Sequence, residues 1–415
     1  MATLYCGPST TGNGSGSNFS NLLALPNTTG FTRGNTYIVV DGSYGSKTLS
    51  TANSGSTTIT IKKASAADSA VTGYSSALHA GQATFGGITV QTTYWVMNGV
   101  TRTESNLWGA PSGYGFRASG VTANSLSGQQ ANYSEFSYMD LGATWATNPS
   151  AGTIAGYGPV VYLVYNQTGV KFSRCAIHNA TSALVMAHGT NGLTLEYCHL
   201  ANGWGKEAIA GPNVGFNNMV VRYCRFWNST QTDPNDPTTG QTAEIGAFGI
   251  DVNPTGNLIY GNWFRNSISD QGRNSCIALG GLGFNGVASN CKVFNNTFAQ
   301  IPDTSVYSMI YLYNGSGNEA RNNLFYGCGS TGVTANSVSN NVTASVNPFV
   351  DYATLDLRIT ASNQARNVGT NVGAPYNYDP LGVLRGGDGT WDVGAYEYDS
   401  GTPTPPIGTP VLSVR

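Results

Sequence analysis

The sequence predicts an all-β fold, a parallel β-helix or β-solenoid, and three observations carry that reading. A line of residues recurs: VKFSRCAIHNAT (170–181), LTLEYCHLANGW (193–204) and MVVRYCRFWN (219–228) each set two apolar residues two apart, then Cys, then an apolar residue two further on. The same slot continues with Asn in LIYGNWFRN, KVFNNTFAQ and EARNNLFYG, so that Cys175, Cys198, Cys224, Asn262, Asn296 and Asn323 are separated by 23, 26, 38, 34 and 27 residues. A second apolar line runs in phase with it: Val161, Leu184, Ile209, Ile250, Ile277 and Ile310. Period-2 alternation repeated every 20–40 residues, with no helical period between the strands, is what a stacked coil requires. One coil cannot bury its apolar face alone; coils stacked at about 4.8 Å close a continuous core.

Taken in order, residues 1–70 read as an N-terminal cap and the first coils. Within them NFSNLLALP is expected to form a short helix begun by Asn18 or Ser20 and stopped by Pro26. NTYIVVDGSYGS and TTITIKK then alternate like strands between Gly and Asn turns. Residues 71–345 form the regular β-helix and 346–399 the C-terminal coils and cap. The tail 400–415, SGTPTPPIGTPVLSVR, is Pro-rich and stiff, a linker or docking strap.

Composition narrows the function. Only 10% of residues are charged and the net charge is −2, so the chain lacks the basic footprint of a nucleic-acid or anionic-membrane binder. No apolar run is long enough to span a bilayer. MATLYCGPSTTGNG has no basic segment followed by an apolar core, so no signal peptide is expected there, and release as a virion component or prior removal of a signal both fit. The shared slot predicts that Cys175, Cys198 and Cys224 stack as small buried thiols without a disulfide, and that Asn in later coils hydrogen-bonds coil to coil. No CxxC or Cys/His spacing suggests a metal site.

RGNTYIVVDGSYG (Arg33 to Gly45) and SGSTTITIKK (Ser54 to Lys63), followed by TYWVMNGVT, YGFRASG and FSYMDLG, resemble the opening coils of right-handed, pectate-lyase-like β-helix proteins, secreted or phage-borne. LRGGDGTWDVGAYEY (Leu384 to Tyr398) is similar to the ending common among them and is expected to be a strand closing the last coil. The resemblance is specific for fold; the same fold hosts lyases, hydrolases and non-catalytic fibres.

If the second apolar line points inward, the next residue of each strand points out: Tyr162, Val185, Ala210, Asp251, Ala278 and Tyr311. Charged residues gather beside this column at Lys206, Glu207, Glu244, Asp270 and Arg273. The resemblance implies an enzyme site on such a face, in which Lys206 is the base and Arg273 the clamp on a uronate carboxylate, with Asp251 between them and Glu207 adjoining. A glycosidase would draw instead on Glu207, Glu244, Asp251 and Asp270. Tyr162, Tyr165, His188, Tyr311 and Tyr313 offer rings for stacking on sugars, with Tyr307, Trp204 and Trp227 on or beside the same columns. No cofactor is required; Ca²⁺ at Asp233, Asn235 and Asp236 is the alternative to a plain Asp-Pro turn.

The leading expectation is an extracellular or virion-associated structural or adhesion protein that presents a polar, Tyr-bearing face to a polysaccharide, a surface glycan or a partner protein, with other virion or assembly proteins as partners of the 400–415 tail. The alternative is a polysaccharide lyase, or a glycoside hydrolase as the lesser choice, working through the Lys206/Asp251/Arg273 face. Neither nucleic acid nor membrane insertion enters either reading.

Overall fold

The computed structural model describes residues 1–28, 30–103, 112–142, 158–180, 183–203, 207–212, 214–227, 243–247, 252–265, 275–281, 286–301, 308–354 and 356–399. Among them the chain winds into three long sheets, which we call A, B and C, of 13, 11 and 10 strands. Every pairing within these three is parallel, and each strand meets the equivalent strand of the neighbouring coil, as in Val220–Arg222 against Leu258–Tyr260. The fold is therefore the parallel β-helix that the repeats predict.

The slot residues lie at the corner from sheet A to sheet B. The residue before each slot has positive φ: Arg174 (54°), Tyr197 (53°), Tyr223 (57°), Gly261 (64°), Asn295 (54°) and Asn322 (57°). One left-handed residue reverses the pleat and turns the chain within a few atoms, leaving the slot residue pointing in. Cys175, Cys198 and Cys224 are fully buried free thiols. From Asn262 onward the slot becomes a hydrogen-bonded ladder. Cys224 N donates to Asn262 Oδ1, and the N and Nδ2 of Asn262, Asn296 and Asn323 donate to Oδ1 of Asn296, Asn323 and Asn341 in turn, at 2.8–3.1 Å. Two residues beyond the slot, inside sheet B, Phe226, Phe264, Phe298 and Phe325 stack with centroids 4.5, 4.8 and 5.1 Å apart, the rung spacing itself.

In sheet C the register differs from the sequence expectation at two coils. The inward column is Val161, Val185, Ile209, Ile245, Ile277 and Ile310. Leu184 is buried but precedes the strand, so Val185 points in and Met186 out; the apolar run ALVM holds no alternation that could choose between them. Ile245 holds the place expected of Ile250: the strand is Ala243–Ala247, and Ile250 lies outside the described residues.

Both ends also differ. Residues 18–26 form no helix: Asn18 Oδ1 accepts from Ser20 N and Asn21 Nδ2, making a tight turn, and Leu23–Ala24 pairs with Cys6 and Gly7. An open strand edge outbids a helix of two turns, whose nucleation alone is unfavourable. Leu384 to Tyr398 is not a closing strand. It makes one isolated bridge, Leu384 with Tyr378, and straps across the outside of the solenoid. Acidic residues in and just before it accept the backbone N–H groups that a ladder would use: Asp379 from Leu381 and Val383, Glu397 from Gly386 and Asp392, Asp392 from Asn367 and Tyr398. Tyr376 and Trp391 cover Tyr260 and Phe294 on sheet A, and Val393, Ala395 and Tyr396 cover Trp263 and Leu324 on sheet B.

Candidate functional site

The exterior of sheet C is built by the residue after each inward apolar one. In register it reads Tyr162, Met186, Ala210, Gly246, Ala278 and Tyr311. Rings thus stand at the two ends of a floor formed by Met186, Ala210, Gly246 and Ala278, of which the last three are buried. Five rung steps of about 4.8 Å separate the two tyrosines, roughly 24 Å along the axis. Tyr311 lies against Ala243 and Ala278, which are fully buried although they sit outside the main core.

Further rings flank each end of this floor. At one end Tyr165, held at φ 55°, brings its ring 4.8 Å from that of His188. Burial lowers the His188 pKa, and His188 Nε2 has no hydrogen-bond partner among the described residues. At the other end Tyr311 and Tyr313 lie 5.6 Å apart, and the Tyr313 ring occupies the space above Gly281, where a Cβ would come within 2.2 Å of it. The five rings expected from the sequence are therefore gathered into two pairs and one single ring on or beside one face.

Of the four expected polar residues, Glu207 opens the strand Glu207–Ala210, pairs with Ala243 and is 9% exposed. Lys206, Asp251 and Arg273 lie outside the described residues, as do Asp270, Trp204, Tyr307 and the loop carrying Asp233, Asn235 and Asp236. The place in the outward column expected for Asp251 belongs to Gly246, and the one expected for Val185 belongs to Met186. Among the described residues no group of three His, Cys, Asp or Glu side chains could hold a metal ion.

A second polar face was not anticipated. On the exterior of sheet B one column runs Arg117, Asp140, Ala176, His199, Arg225 and Trp263, and beside it runs His178, Ala201, Trp227 and Arg265. His178 Nε2 lies 2.5 Å from Asp140 Oδ1. His199 is 4% exposed; burial first, then the charges of Arg225 and Arg102 and the neighbouring His178, push its pKa down to about 3, so it stays neutral. The Arg265 guanidinium sits over Trp227 at 5.7 Å and donates to Gln300. The signal was available: the residue after each Cys or Asn slot must point outward, which picks out His199 and Arg225 directly.

Sheet A carries ion pairs. Glu196, 6% exposed, meets Lys171 at 2.7 Å and Arg222 at 2.5 Å. Burial alone would raise its pKa, but those two cations outweigh burial and hold it below the ordinary carboxylate range. With its oxygens committed to neighbours, this carboxylate braces the sheet.

No protein-family model matches the chain, and no curated protein matches it. Solved structures do. The crystal structure titled pectate lyase Pel9A aligns over 96% of this chain and 97% of its own at 14% identity, with a TM-score of 0.53. A structure titled rhamnogalacturonan lyase aligns over 85% and 91% at 13% identity, with a TM-score of 0.47. The end-to-end match to the first establishes that the chain has the pectate-lyase-like parallel β-helix fold.

Proposed function

We propose that the protein binds an extended acidic polysaccharide along the exterior of sheet C and cleaves it by β-elimination. The observation that carries this reading is the placing of rings at both ends of that face, Tyr162 with the Tyr165–His188 pair at one end and the Tyr311–Tyr313 pair at the other. Ring groups about 24 Å apart along the axis match a linear chain of sugars, since each ring offers apolar area to a sugar face and a polar tip to its hydroxyls. The fold shared with a pectate lyase supports the cleaving version over presentation of the same face for adhesion alone.

In the proposed reaction Lys206 takes the proton next to the uronate carboxylate. The C–H electrons form a carbon–carbon double bond, the bond to the glycosidic oxygen on the next carbon breaks, and the leaving sugar hydroxyl gains a proton. Arg273 is assigned the neutralising of the carboxylate, which acidifies that proton, with Asp251 and Glu207 as the supporting carboxylates. A Ca²⁺ ion held by Asp233, Asn235 and Asp236 would supply the same neutralising charge. A polysaccharide of this kind places the protein outside the cell, free or carried on a virion. Among the described residues no helix is long and apolar enough to cross a membrane.

The test is incubation with a panel of uronate polysaccharides, with and without Ca²⁺, followed at about 235 nm, where the unsaturated product absorbs, together with a reducing-end assay. Unsaturated product that disappears in Lys206→Ala supports the reading. Reducing ends without absorbance would replace elimination by hydrolysis through the carboxylates. Binding without either product would restore the adhesion reading.

A further inference from the structure

The two ends of the solenoid are finished differently. At the head, residues 8–28 cross the first coil: Pro8 fills the space over Gly42, Asn27 O accepts from Thr48 N, and Lys47 Nζ donates to Leu25 O. Core residues there are sealed, with Cys6 and Leu49 at 0%, Phe31 at 4% and Leu25 at 6% exposure. At the other end the sheets stop at Val333–Thr334, Ser337–Ser339 and Val342–Thr343, each the outermost strand of its sheet.

Val338 stands in register with Ala320 and Val293, which are inward and fully buried, yet it is 48% exposed. Val346 and Val350 nearby are 70% and 52% exposed. Two asparagine ladders also run off this end. Each rung's backbone N–H donates to Oδ1 of the next, as Asn323 does to Asn341 and Asn318 to Asn336. The backbone N–H groups of Asn336 and Asn341 have no acceptor among the described residues.

We infer that this open end docks against the same end of a second copy of the chain, giving a two-fold, tail-to-tail dimer. Two observations select that occupant. Natural strand edges are kept apart by charge, Pro or bulges, but no Asp, Glu, Lys or Arg lies between Arg321 and Asp351, so two such ends meet without repulsion and without need of a charged partner. Because the head is sealed, an open tail cannot continue head to tail into a filament; only another open tail presents matching unpaired edges, and a two-fold axis closes the assembly. The two last coils would then meet with antiparallel strands, covering Val338 and supplying carbonyl acceptors to the ladder ends.

The test is sedimentation velocity of the full chain from about 1 to 100 µM. A species of twice the chain mass is expected, weakened at least about 100-fold in Val338→Lys and in Thr343→Lys, two substitutions at exposed positions that leave the far-ultraviolet dichroism unchanged. Val214→Lys, equally exposed but on a corner far from the end, should leave the dimer intact. A monomer throughout overturns the inference, as does a dimer insensitive to both end substitutions. Larger species growing with concentration would contradict the sealed head. A monomer that dimerises only after removal of residues 400–415 would make that tail the occupant instead.

Discussion

Asn296 Oδ1 accepts two hydrogen bonds from Asn262, one from the backbone N–H and one from Nδ2, each at 3.0 Å, and both residues are wholly buried. One oxygen therefore satisfies two donors of the neighbouring coil, while Asn296 Nδ2 donates onward to Asn323 Oδ1 and to Ile259 O.

Asn296→Ala should consequently destabilise the protein by about 2–6 kcal/mol, because it strands two buried donors at once and each costs about 1–3 kcal/mol. Urea denaturation measures it. Asn340→Ala, at an exposed corner, is the comparison and should cost well under half as much; equal losses would mean that the ladder contributes nothing beyond turn geometry.

Ile245→Asp should unfold or open the solenoid, since it places an unpaired carboxylate in the inward column beside Ile209 and Ile277. Tyr162→Ala, on the opposite face of the same sheet, should change stability by about 1 kcal/mol or less. Thermal melts of the two variants that coincide would put the register of sheet C one residue out.

His199 gives the stability a pH dependence of known sign. Its folded pKa is depressed below its unfolded value, so the unfolded chain binds the extra proton and stability is lost as pH falls from about 6.5 toward 3. The contribution reaches at most about 1.4 kcal/mol per pH unit in that window. Denaturation midpoints between pH 5 and 7 should fall more steeply with acidification for the parent than for His199→Gln. Glu196, whose pKa is also depressed, acts in the same direction but below the ordinary carboxylate range, outside that comparison.

Tyr311→Ala and Tyr165→Ala should each weaken binding of an oligosaccharide by about 5- to 150-fold, as loss of about 1–3 kcal/mol of ring contact implies, while the rate at saturating substrate changes little. Isothermal titration and initial rates separate the two effects. Unchanged affinity in both variants would remove the sheet C face from the proposed site.

The readable parts of the chain were those with short-range causes. A Cys or Asn slot preceded by a corner residue repeats because each coil needs the same left-handed turn and the same inward plug, and Cys198 and Asn296 announce both from composition alone. Rings such as Tyr162 and Tyr311 were legible for the same reason, since clean alternation leaves one choice of face. Where alternation fails, at ALVM around Val185 or between Ile245 and Ile250, adjacent apolar residues compete and local pattern has no way to rank them.

By itself the sequence determined the solenoid, the buried unbridged thiols and asparagines of the slot, and the ring-bearing face, because each follows from a period of two within a repeating coil. The tertiary structure alone decided the register of sheet C, the Asp140–His178 and His199–Arg225 face of sheet B, the strap formed by Leu384 to Tyr398 and the open end at Val338. Those depend on which coil stacks on which, and residues 23 to 38 apart in the chain become neighbours only when backbone hydrogen bonds set that stacking.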